Sequence, residues 1–419
     1  MKTTQMLKNL LKTSFMKNLN TLLGSLKIEA IAKEVGFIKR STSRLNGKMF
    51  LEMNLNNFNQ LGKGSMSLTD KSDYLEEHYN ISMRKQSLTK RYNDQAVKFM
   101  RSCAEQLMAS YLNSTDGIIG LTCPFSAIKI VDATSFKLPA AFSPYYAGTG
   151  GDCGRSSIKI HQSYELLKSR LLDFHITDGK QSDVTYWETG NWDIAVNELF
   201  LADLGYFKLA NLKKIADNGA YFISRYKSGV NLYCKDSDGN LQNLNLVELL
   251  RDAKGDIDMP NVYIGSAENL PIRLIIKAVP EDVKQKRLKK IRAQAANTSK
   301  KRKQWDISEE RKLLCGFTLF ITNVPCSVLS SEKVQQYYSL RWQIELLFKI
   351  WKSILEIDKI GQLSLFRFEV YLYSRLILLL LCSQILAFVR DLAANDPDID
   401  EEISEWKVFS YLKKKLTSL

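Results

Sequence analysis

Two hydrophobic periods divide this chain. Between about residues 118 and 227, apolar positions come in short β-branched or aromatic runs, the signature of strands. Strands are expected at 126–132, 157–165, 171–177, 199–203 and 220–227, with helices at 191–198 and 206–217. A further stretch, about 228–312, has strand-like pieces at 229–234, 261–264 and 271–278, a basic helix at Pro280–Arg292 and the run Lys300-Lys-Arg-Lys303. The strand Gly316–Asn323 follows. On either side the pattern is helical. The apolar run Leu376–Val389 covers 14 residues between Arg375 and Arg390. It falls short of the roughly 20 that span a bilayer and reads as a buried core helix. The pattern thus predicts an α/β chain in three parts: a helical domain (1–115), a mixed-sheet core (116–360) interrupted by a β-rich insertion (about 228–312), and a helical C-terminal region (361–419).

The last helix of the core carries the densest chemistry. Tyr338, Arg341, Glu345 and Lys352 stand at offsets zero, three, seven and fourteen. On one continuous helix, at about 100° per residue, they share a strip about 60° wide and about 21 Å long. Leu340, Ile344, Leu347, Trp351, Ile354 and Leu355 form the opposite, apolar stripe, able to dock on a core. One acid among two cations and a phenol suits a site for a metal ion and phosphates. A solvated face with an Arg341–Glu345 ion pair fits the same residues.

The spacing Y-x2-R-x3-E-x6-K resembles the signature of bacterial insertion-sequence transposases of the DDE type, in the insertion-sequence-four group. Two upstream runs agree. Phe125–Phe136 reads as a strand leading into Asp132-Ala-Thr and resembles that family's first-aspartate motif. Leu199–Phe207 reads as a strand ending in Asp203-Leu-Gly-Tyr and resembles the second. Each aspartate closes a hydrophobic strand, the end at which open α/β sheets bind ligands.

The resemblance implies a ribonuclease-H-like catalytic core. It implies that Asp132, Asp203 and Glu345 are catalytic and hold Mg²⁺, two ions in all, with Mn²⁺ able to substitute. It implies that Tyr338, Arg341 and Lys352 grip phosphates beside the cut. The activity implied is cleavage at element ends followed by strand transfer, by a homodimer in a synaptic complex on double-stranded DNA, both element ends and target. A nuclease that nicks without joining, or a non-catalytic DNA-binding regulator of transposase descent, are the other classes open to these residues.

Charge agrees with a nucleic-acid partner. Lys+Arg number 59 against 45 Asp+Glu, a net charge of +14, which favours association with polyanions. The seven cysteines are scattered without a C-x-x-C pair and there are three histidines. That suits a reducing, cytoplasmic, nucleoid-associated setting. No secretory signal opens the chain and no membrane partner is expected.

In the N-terminal domain, 68–79 reads as a helix, 80–82 as a turn and 83–92 as a second, basic helix. The pair resembles a helix-turn-helix, in which the second helix enters the major groove. Arg84, Lys85, Gln86, Lys90 and Arg91 are its candidate DNA contacts, Arg84 and Gln86 to base edges and Lys90 and Arg91 to phosphates. An ordinary helical hairpin with a basic solvent face fits equally.

Overall fold

The structure, a computed structural model, describes residues 24, 26–40, 42–56, 67–112, 123–151, 154–168, 170–189, 192–299, 307–361, 363–394 and 404–416. The run Lys300–Lys303 lies outside them. The helices are α1 (Ile28–Glu34), α2 (Gly47–Leu55), α3 (Leu68–Tyr79), α4 (Lys85–Thr89), α5 (Asp94–Leu112), α6 (Asp183–Thr189), α7 (Leu209–Asp217), α8 (Leu246–Asp252), α9 (Glu281–Ser299), α10 (Glu309–Leu313), α11 (Ser331–Ser339), α12 (Trp342–Ser353), α13 (Leu365–Ala394) and α14 (Glu405–Leu416). The strands are β1 (Ala127–Lys137), β2 (Ser157–Glu165), β3 (Arg170–Asp178), β4 (Glu198–Ala202), β5 (Tyr221–Arg225), β6 (Leu232–Lys235), β7 (Leu241–Asn243), β8 (Ile257–Ile264), β9 (Leu270–Ala278) and β10 (Phe317–Thr322).

The chain forms two compact units. The first holds Met1–Thr122, Ala133–Gln181 and Ile344–Leu419; the second holds Cys123–Asp132 and Ser182–Gln343.

In the first unit α5 and α2 pack on α13. Phe37, Phe50 and Phe99 pack ring on ring. A 26-residue stretch of α13, Leu365–Arg390, is long and apolar enough to cross a membrane, but most of it is buried inside the fold. Its role as a core helix therefore rests on burial, not on shortness as the sequence suggested. The helix α3 starts on a capping box, Ser67 with Asp70, and ends where Asn80 turns left-handed; both are sequence-legible stop signals. The second helix of the pair is shorter than expected. It covers Lys85–Thr89, with Arg84 as its N-cap residue. Leu88 is fully buried and pins this short turn from below. Strands β2 and β3 form an antiparallel pair that sets His161 opposite His175.

In the second unit the strands run in the order β1-β4-β5-β10-β9-β8-β6-β7. The pairs β1–β4 and β4–β5 are parallel, while β5–β10, β10–β9, β9–β8, β8–β6 and β6–β7 are antiparallel. A mixed sheet between N- and C-terminal helical regions is consistent with the expected ribonuclease-H-like architecture. The segment 228–312 supplies four strands, β6 to β9, which extend this sheet. The helix expected at 191–198 is absent: 192–195 has no regular structure, and Asn197 turns left-handed (φ 65°) before β4. The helix lies earlier, at α6, where ring packing decides. Trp187 stacks on Trp192 with centroids 4.6 Å apart and meets Phe200 of β4 edge-on.

Candidate active site

The second unit assembles most of the site. The parallel register pairs Ile130 with Leu201 and Val131 with Ala202. Asp132, midway along β1, and Asp203, just past the end of β4, are the next residues in that register. They therefore stand side by side where the β1–β4 pairing ends, on neighbouring strands about 4.8 Å apart. The register is locked at the other end. Lys129 of β1 reaches Glu198 of β4 (2.7 Å) and the Asp193 carbonyl (2.6 Å). Both side chains of that pair are only 10% exposed. A one-residue slip would bury a charge without its partner and turn one aspartate to the other face.

Arg341 enters from the turn between α11 and α12. Its Nη1 lies 3.2 Å from Asp132 Oδ2. Tyr338 closes the same corner, its ring set edge-on to Phe320 of β10. Burial raises the Tyr338 phenol above its ordinary value, Asp203 adds to the rise, and the charges of Arg341 and Arg225 oppose it. Tyr206, in the 3-10 turn after Asp203, is buried. Burial lifts its phenol far above the ordinary value, and the surrounding charges of Asp183, Asp132 and Asp203 lift it further. It stays protonated beside the aspartates. Sequence reading missed Asp183 and Arg225, which no motif signals.

The single long helix through Tyr338–Lys352 is not formed. The chain breaks at Leu340–Arg341, between α11 and α12. Tight turn bonds bridge the break: Leu340 N–H to the Tyr337 carbonyl, Arg341 N–H to Tyr338, and Gln343 N–H to Leu340. The four residues thus come from three pieces of backbone, not from one 21 Å strip. The apolar stripe holds beyond the break: Ile344, Leu347, Trp351, Ile354 and Leu355 are all buried, whereas Leu340 is half-buried.

Glu345 and Lys352 belong to the first unit. Glu345 lies in the first turn of α12 and is half-buried. Lys352 Nζ donates to the Ser135 carbonyl at 3.0 Å, three residues past Asp132 on β1. Burial lowers its ammonium below the ordinary value, against an opposing pull from Asp358. Among the described residues no three carboxylate, imidazole or thiol side chains form a group that could hold an ion. The adjacent pair Asp132 and Asp203 nonetheless offers the oxygen donors a hard divalent cation takes.

The N-terminal candidates differ among themselves. Arg84, Lys85, Gln86 and Lys90 are exposed. Arg91 is turned inward: Nη2 donates to the Leu45 carbonyl at 3.1 Å and the guanidinium lies 4.7 Å over the Phe37 ring.

The sequence profile described as "Transposase DDE domain" matches residues 124–381, which include the Asp132–Asp203 corner and α12. The chain is 34% identical over 405 residues to the transposase for insertion sequence element IS1151 of Clostridium perfringens, covering 92% of this chain and 83% of that protein. It is 31% identical over 346 residues to the transposase for IS231F of Bacillus thuringiensis subsp. israelensis, covering 79% and 71%. In fold it is similar to a piggyBac transposase, solved as a synaptic complex with hairpin DNA. That match has a TM-score of 0.50 and 11% identity, over 96% of this chain and 80% of the other.

Proposed function

This chain belongs to the family of insertion-sequence transposases with a DDE domain, and on that premise we propose that it cuts DNA at the ends of its element and joins them to a target. The observation that carries the reading is the Asp132–Asp203 pair, set next to each other where the parallel pairing of β1 and β4 ends, with Arg341 beside Asp132.

In cleavage, water attacks the scissile phosphorus and the P–O3′ bond breaks, freeing a 3′-hydroxyl. In joining, that hydroxyl attacks a target phosphodiester, a new P–O bond forms, and a target 3′-oxygen leaves. Each attacking group gives its proton to solvent. Mg²⁺, or Mn²⁺ in its place, supplies Lewis-acid activation of the attacking oxygen and stabilisation of the leaving one. Asp132 and Asp203, with Glu345 as third carboxylate, would hold it. Arg341 offers a planar two-pronged donor to phosphate, Lys352 a point charge, and Tyr338 a protonated phenol. Exposed Arg84, Lys85, Gln86 and Lys90 are proposed to contact end DNA. Two element ends joined in one event call for two copies of the chain on double-stranded DNA.

A strand-joining assay tests this. Labelled end DNA, an unlabelled target and Mg²⁺ should yield joined product with the wild-type chain and none with Asp203→Asn. Nicked ends without joining would make the protein a nuclease. No metal-dependent nicking at all would make it a DNA-binding regulator.

A further inference from the structure

We infer that Asp183 is a positioning residue of this site: its carboxylate occupies the space that Gly205 leaves open and so fixes the turn from which Asp203 projects. The inference rests on the reading of Asp203 given above and extends it to a residue outside every motif.

Gly205 is the glycine of Asp203-Leu-Gly-Tyr. Its φ lies outside the left-handed region, so the backbone does not demand glycine there. Space does. A Cβ at 205 would lie 2.8 Å from Asp183 Oδ2, 3.7 Å from its Cγ and 3.8 Å from its Cβ. These are its three nearest neighbours, and all belong to one side chain. The glycine therefore accommodates an acid about twenty residues upstream.

Asp183 is itself held firmly. It sits in the first turn of α6, whose start is capped by Ser182 Oγ accepting from the Thr185 N–H. One helical turn on, Trp187 packs against Phe200 of β4 and against Tyr206. The same helix that presents Asp183 is thus anchored to the strand that leads into Asp203. Asp183 is also foremost among the charges around the buried Tyr206 phenol, ahead of Asp132 and Asp203. A carboxylate so placed sets the backbone and the field of the ligand residues without being a ligand. Residues in that relation to a metal site usually tune affinity by about ten- to a hundredfold.

The test is a set of substitutions read by Mn²⁺ titration of the DNA-free full chain, by thermal midpoint and by the Mg²⁺ dependence of cleavage. Gly205→Ala and Asp183→Ala should each weaken Mn²⁺ binding by about tenfold. The double variant should be no worse than Asp183→Ala alone, because the added methyl then enters vacated space. Asp183→Asn, which keeps the shape, should fold as wild type and cut only at raised Mg²⁺. Additive losses in the double variant, or wild-type Mn²⁺ affinity in Asp183→Ala, would overturn the inference. Asp203→Asn serves as the control. If it binds Mn²⁺ as wild type does, the site reading falls and the inference with it.

Discussion

Arg341 holds Asp132. Nη1 of the one lies 3.2 Å from Oδ2 of the other, and both side chains are less than one-fifth exposed. A residue expected to grip phosphate is thus paired with a carboxylate expected to hold a cation. The two duties fit in sequence: the guanidinium neutralises Asp132 until a cation does so, and is then free for phosphate. Arg341→Ala should therefore tighten Mn²⁺ binding in the absence of DNA by about tenfold, on the scale of one close charge screened by a water-like dielectric near 80. It should also weaken DNA binding, with the salt slope reduced by about one. Calorimetric Mn²⁺ titration of the DNA-free variant checks the first half; weaker Mn²⁺ binding would sink it.

Asp132→Asn, Asp203→Asn and Glu345→Gln should each lower cleavage by more than about a hundredfold, since a carboxylate site contributes several kcal/mol to phosphoryl transfer. DNA binding should persist. Single-turnover cleavage beside a gel-shift titration separates the two. A Glu345→Gln chain that cuts at the wild-type rate would remove Glu345 from the site.

The basic hairpin should split into two kinds of arginine. Arg84→Ala with Gln86→Ala should relax end-sequence preference by about 1–3 kcal/mol per lost bidentate contact. Lys90→Ala should weaken all duplexes alike. Arg91→Ala should lower the thermal midpoint instead, by about 1–2 kcal/mol of stability, through the lost Leu45 carbonyl bond and Phe37 stacking. Footprinting and calorimetric melting would show which arginine does what; a sequence-specific loss in Arg91→Ala with unchanged stability would contradict the split.

Lys71 gives a pH signature. It is buried and bonded to Asn54 Oδ1 at 2.6 Å and Tyr92 Oη at 2.7 Å. Burial, aided by the charges of Arg367 and Arg375, holds its ammonium well below the ordinary lysine value of 10.5. The unfolded chain therefore binds more protons than the folded one between the lowered value and 10.5, so this group makes stability rise with pH across that window. Replacing it by methionine should remove that rise. Thermal midpoints of wild type and Lys71→Met, followed from neutral pH upward, should move apart in favour of wild type; parallel curves would refute it.

Most strands, though not the short exposed β7 or the far end of β1, were legible to within a few residues because buried apolar runs such as Ala127–Val131 and Leu199–Leu201 leave little choice. The two aspartates were legible because each closes such a run. The break at Leu340–Arg341 was not. Its i+3 turn bonds keep the chain rotating in the helical sense, so the spacing of apolar positions reads through it. The helix at Asp183–Thr189 was missed because ring contacts of Tyr186 and Trp187 with Trp192, Phe200 and Tyr206, not an amphipathic stripe, hold it in place. Asp183 itself was invisible for the same reason: its meaning lies in the missing methyl of a glycine on another element.

The packing of α2 and α5 against α13 has a consequence for the order of synthesis. The N-terminal helices emerge from the ribosome early, yet the helix that covers them starts at Leu365. At roughly 5–20 residues per second, the stretch between α5 and α13 takes on the order of ten to fifty seconds to make. Throughout that interval the N-terminal helices lack their lid. A message truncated near residue 360 would yield a protein with every candidate catalytic residue and an unclosed first unit. The chain must therefore be translated through α13 before the helices that pack on it can settle.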